Sequence, residues 1–85
     1  MRVIIHLGEP FWRAAGTRQV ELALAEDATV AEALAALAHT APALAADLAY
    51  NEAQPLVFVN DEAATPETTL PPDARLHLVW PVSGG

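Results

Sequence analysis

The chain has 85 residues, 53% of them hydrophobic, with 4 basic against 11 acidic side chains and a formal net charge of -7. That length makes one small domain with a modest core, its apolar runs are too short to span a bilayer, and so acidic a surface is wrong for the counterion release behind nucleic-acid binding. Cysteine and lysine are both absent, which excludes disulfides, thiolate metal sites, a thiol nucleophile, Schiff-base chemistry and a side-chain amine that accepts a modifier.

The opening "MRVIIHLGEP" lacks the length and the small-residue cleavage site of a signal peptide, so the cytoplasm is the expected compartment. Its run "RVIIHL" at 2–7 has apolar residues on both faces, as a central strand does. "GEPFWRAAGT" follows as a turn-bearing connection with Pro10 and Gly16. "RQVELAL" at 18–24 alternates and puts Val20, Leu22 and Leu24 on one face, which predicts a β-hairpin with a fairly long loop.

"TVAE" at 29–32 reads as a capping box, in which Thr29 accepts from the Glu32 amide and Glu32 reaches back to the Thr29 amide. Val30, Leu34, Leu37 and Ala38 then form an apolar stripe at helical spacing. Pro42 stops or kinks this helix near Thr40, and "PALAADLAY" predicts a second, shorter one, with Leu44 and Leu48 a turn apart. "PLVFVNDEAA" reads as a strand at 56–59 turning at Asn60-Asp61 into a short edge strand at Ala63 and Ala64. After the proline-rich "TPETTLPPDA", "RLHLVW" at 75–80 closes the domain as a strand, with Leu76, Leu78 and Trp80 on one face and Arg75, His77 and Val79 on the other.

One principal helix covers only one face of such a sheet, so the order predicts an α+β roll. The first and last strands, side by side at its centre, would run parallel, joined by the long connection that parallel pairing needs. This is the β-grasp arrangement: a mixed sheet of four to five strands, one main helix and a second short one. The expected boundaries are a domain over 1–80 and an extended tail over 81–85.

The tail is "PVSGG": Pro81, Val82, Ser83, Gly84 and Gly85. Together with "MRVIIHLG", Gly16 before the second strand, "ATVAEALAALA", "PLVFVNDE" and "PPDARLHLVWPVSGG", it resembles the MoaD/ThiS family of sulfur carriers, within which the likeness is greatest to the small subunit of molybdopterin synthase. Where the family usually has an Arg-Glu pair before the glycine, this chain has Trp12-Arg13, and Trp80 stands at the first of two family prolines. The resemblance implies that a ubiquitin-activating-like adenylyltransferase couples the Gly85 carboxylate to AMP, using ATP and magnesium. Sulfur from a persulfide donor then displaces AMP and leaves a thiocarboxylate. It further implies that the tail enters the large subunit of molybdopterin synthase, or another sulfur-accepting enzyme.

The tail suits that chemistry. Glycine has no Cβ, so Gly84 and Gly85 can thread a channel that a side chain would block. Pro81 lacks an N–H and ends strand pairing, and five extended residues reach roughly 15 Å. The remaining candidates carry less. His6 and His77 become neighbours if their strands pair, but two histidines without a carboxylate make no metal site, and no bound cofactor is expected. Ile4, His6, Arg75, His77 and Val79 share the sheet face away from the helix and form a candidate partner surface with Trp12; Phe11 is assigned to the core. The chain then reads as a carrier substrate without an active site of its own. Open alternatives are a carrier for thiazole, tRNA thiolation, cysteine or a secondary metabolite, a ubiquitin-like modifier, and a non-covalent β-grasp binding module.

Overall fold

The computed structural model describes residues 1–9, 11–45 and 56–79. In chain order these form β1 (Arg2–Leu7), a short α1 (Phe11–Ala15), β2 (Gln19–Ala23), the main helix α2 (Val30–Thr40), a 3-10 turn (Pro42–Leu44), β3 (Leu56–Val59), β4 (Glu62–Ala64) and β5 (Arg75–Val79). The five strands make one mixed sheet in the order β2-β1-β5-β3-β4. β1 and β5 run parallel, with Ile5 opposite Leu76, and the other pairs are antiparallel. The α+β β-grasp roll expected from the sequence is the fold of the chain.

Alternation decides the layers. Val3, Ile5 and Leu7 on β1, Val57 and Val59 on β3, and Leu76 and Leu78 on β5 point to one side, where they are buried with Val30, Ala33 and Leu37 of α2. The helical stripe therefore runs through Val30, Ala33 and Leu37, and the expected Leu34 and Ala38 are half-buried at its margin. Ala33 is fully buried, and so small a residue lets the helix lie close to the sheet.

The capping box forms as the spacing predicts: the Glu32 amide donates to Thr29 Oγ1 at 3.3 Å and the Thr29 amide to Glu32 Oε1 at 3.4 Å. The helix ends at Thr40, and the Ala41 amide still donates to the Leu37 carbonyl at 2.8 Å. Pro42 then opens the 3-10 turn, which buries Leu44. The rest of the predicted second helix, Leu48 included, lies outside the described residues.

Two features differ from the sequence reading. The connection after β1 contains α1, closed where the Gly16 amide donates to the Trp12 carbonyl at 2.9 Å with Gly16 at φ +78°. A five-residue helix is too short for a periodic signal. The proline-rich connection before β5 also does more than turn. Its Thr68 and Pro66 carbonyls accept from the Val30 and Ala31 amides at 2.9 and 3.0 Å, which satisfies N–H groups that the first turn of a helix leaves free. The predicted turn at Asn60-Asp61 is present, with φ at 49° and 71°, the left-handed pair that a tight hairpin needs.

Candidate functional site

The outward alternation of the strands builds the face opposite α2. In register across the sheet stand Ala63, Phe58, His77, His6 and Gln19, one residue from each strand. Beside this row Leu56 pairs with Val79, and on the other side Arg75 pairs with Ile4 and Ile4 with Glu21. No described helix covers this face, on which Ile4, Phe58, His6 and His77 are half-buried. Leu56 and Val79 are the large apolar side chains left exposed among the described residues, at 48% and 38%.

Of the predicted surface residues, the structure brings together Ile4, His6, Arg75, His77 and Val79. Trp12 is not on this face. It lies on α1 and packs against the core cluster, with the Arg18 guanidinium 4.5 Å and the Arg13 guanidinium 5.3 Å from its ring centroid. Phe11, one residue earlier, is fully buried, as expected. Leu56 and Phe58 belong to the face and were not singled out from the sequence. Their alternation with Val57 and Val59 was legible, but which pair faces the helix depends on the pairing of β3 with β5.

The tail residues Pro81, Val82, Ser83, Gly84 and Gly85, with Trp80, lie outside the described residues. Their root does not. β5 is the middle strand of the sheet, flanked by β1 and β3, and the chain continues from Val79. The Gly8 amide donates to the Leu78 carbonyl at 2.8 Å, and a Cβ at Gly8 would lie 3.1 Å from that same oxygen. A side-chain-free residue thus lets β1 hold the end of β5 closely. Among the described residues no polar or charged side chain is buried, and no three histidine, aspartate or glutamate residues converge on a metal position. His6 and His77 stack on each other instead. No described helix is long and apolar enough to cross a membrane.

A five-stranded mixed sheet, with one main helix on one face and the closing segment issuing from its middle strand, defines the ubiquitin-fold class that includes sulfur carriers and small protein modifiers. Within that class the chain belongs to the ThiS family, whose model matches residues 6–85. Among solved structures it is similar to SAMP1 from Haloferax volcanii, with 31% identity over 100% of both chains and a TM-score of 0.89. It is also similar to subunit 1 in the complex of subunits 1 and 2 of the molybdopterin-converting factor from Helicobacter pylori, with 20% identity, full coverage of both chains and a TM-score of 0.66. A likeness at that identity concerns the fold alone. A Pyrococcus furiosus protein assigned as molybdopterin converting factor subunit 1 shares the fold at 17% identity and a TM-score of 0.81, over 96% of this chain and 99% of that one. No curated protein matches the chain.

Proposed function

We propose that this chain is a sulfur carrier whose reactive group is the Gly85 carboxylate. The observation that carries the reading is the family match, which runs from β1 through the closing Gly84-Gly85. An adenylyltransferase of the ubiquitin-activating kind binds the sheet face. The carboxylate oxygen attacks the α-phosphorus of ATP, held with magnesium in that enzyme, and pyrophosphate leaves. A persulfide sulfur then attacks the acyl carbon and AMP departs, giving an acyl disulfide; a thiol reductant attacks the donor's sulfur, forms a disulfide with it and releases the thiocarboxylate. The carrier contributes its carboxylate and its shape, and the catalytic groups belong to the partner.

The acceptor we favour is the large subunit of a molybdopterin synthase, in the molybdenum cofactor pathway. The fold shared with a chain of the two-subunit complex of the molybdopterin-converting factor supports this choice. A second reading has its own support: the 31% identity with SAMP1 favours a protein modifier, joined through Gly85 to lysines of other proteins. Both begin with the same adenylate. Incubation with the organism's adenylyltransferase, ATP, magnesium and a sulfur donor, followed by tandem mass spectrometry, separates them. A carrier gains one sulfur in place of oxygen at Gly85; a modifier appears as Gly85-linked branches on lysines of other proteins in cell extracts. If Gly85 acquires neither, both readings fail.

A further inference from the structure

The four arginines are unevenly placed. Arg2 is engaged by Glu21 at 3.0 Å, and Arg75 starts β5, at the end of the sheet that holds the Asn60-Asp61 turn and Asp73. Arg13 and Arg18 instead share one indole ring, that of Trp12, at the opposite end. Two of the chain's four arginines thus lie within 5.3 Å of one ring centroid, a local concentration of positive charge on an otherwise acidic chain. Only Glu9 offsets it among the described residues, through an exposed ion pair with Arg13 at 3.2 Å, the kind of pair that contributes about 0–1 kcal/mol and is readily exchanged. Arg18 is exposed and has no carboxylate partner among the described residues.

The geometry of the stack matters. A guanidinium lying on an aromatic face uses its π surface and leaves its N–H donors, which point outward in the ring plane, free for a carboxylate. Trp12 thus holds the Arg18 guanidinium over its ring, 4.5 Å from the centroid, before any ligand arrives. The corner also adjoins the root of the tail. The Arg18 carbonyl accepts from the Leu7 amide at 2.8 Å, the Trp12 amide donates to the Gly8 carbonyl at 3.2 Å, and Gly8 is bonded to Leu78.

We infer that Trp12, Arg13 and Arg18 form a docking site for an acidic segment of the protein that receives the tail. Charge decides the occupant. A chain of net charge -7 repels a carboxylate-rich segment over most of its surface, so such a segment is favoured at this corner, where two arginines meet on one ring, and there it sets the partner's orientation beside the exit of β5. Who supplies the segment rests on the carrier reading; the chemistry of the corner does not.

The test is an NMR titration of the full chain, labelled with 15N, at low ionic strength. One probe is a peptide of alternating glutamate and leucine, the other its glutamine counterpart. The glutamate peptide should shift the Trp12 indole N–H and the Arg13 and Arg18 side-chain resonances in a saturable way, and the glutamine peptide should not. Arg18→Gln should weaken binding about three- to fivefold, Arg18→Lys less, and about 1 M NaCl, with a screening length near 3 Å, should abolish it. Equal responses to the two peptides, shifts confined to the Ile4, His6 and His77 face, unaltered binding by Arg18→Gln or no shift at all would each overturn the proposal. Mass analysis of Gly85 reads the carrier chemistry separately, so either idea can fail alone.

Discussion

His6 and His77 face each other across the parallel β1–β5 pair, their rings stacked with centroids 4.7 Å apart and planes within 14°. Phe58 is the next residue in the same row. The uncovered face is therefore aromatic at its centre, apolar toward the tail at Leu56 and Val79, and charged at the far end at Arg2, Glu21 and Arg75. A surface graded in this way gives a partner both an apolar seat and a direction.

Val79→Asp tests the apolar seat. Val79 is exposed and belongs to the outer face, so the substitution should leave the thermal midpoint nearly unchanged. Affinity for the adenylyltransferase, measured by calorimetry, should fall at least about tenfold through burial of an unpaired charge. Unchanged affinity would remove Val79 from the interface.

Thr29→Ala removes the acceptor for the Glu32 amide and the hydroxyl that donates to Glu32 Oε1, leaving only the backbone amide of residue 29 to that carboxylate. It should cost about 1 kcal/mol, read as a lower denaturant midpoint at constant slope. Sulfur transfer by the folded protein should be unaffected, since α2 lies behind the sheet from the proposed partner face.

Phe11→Ala separates a core residue from a loop contact. The ring is fully buried with Leu37 and Leu44, so truncation should cost about 3–5 kcal/mol, a large share of the stability of so small a domain. Chemical denaturation showing a loss under 1 kcal/mol would mean that α1 merely rests on the surface.

Two tail variants test the proposed reaction. Deleting Gly85 withdraws the carboxylate by roughly 3.5 Å, and adding an alanine after it brings a methyl group into a passage proposed to admit only glycine. Both should abolish thiocarboxylate formation by mass spectrometry while stability stays at the parent value. Full thiolation of the extended variant would reject the proposed passage.

Much of the fold was legible because its signals are local. The alternation in "RLHLV", the Thr29–Glu32 spacing and the Asn60-Asp61 turn each act over a few residues, and all three appear where the chain pattern puts them. The closing "PVSGG" was equally plain, and the chemistry proposed for it follows from glycine's missing side chain and the family resemblance. Contacts between distant segments were not legible. The Val30 and Ala31 amides find their acceptors more than thirty residues away at Thr68 and Pro66; Leu56 and Phe58 join the outer face only because β3 pairs with β5; and Trp12 meets Arg18 only because α1 folds back beside the start of β2. Hydrophobic period reports that a strand has two faces or a helix one stripe, but it is indifferent to which neighbour arrives. Packing makes that choice, because the described main helix lies on one face of the sheet and the strand pairing decides which side chains turn toward it.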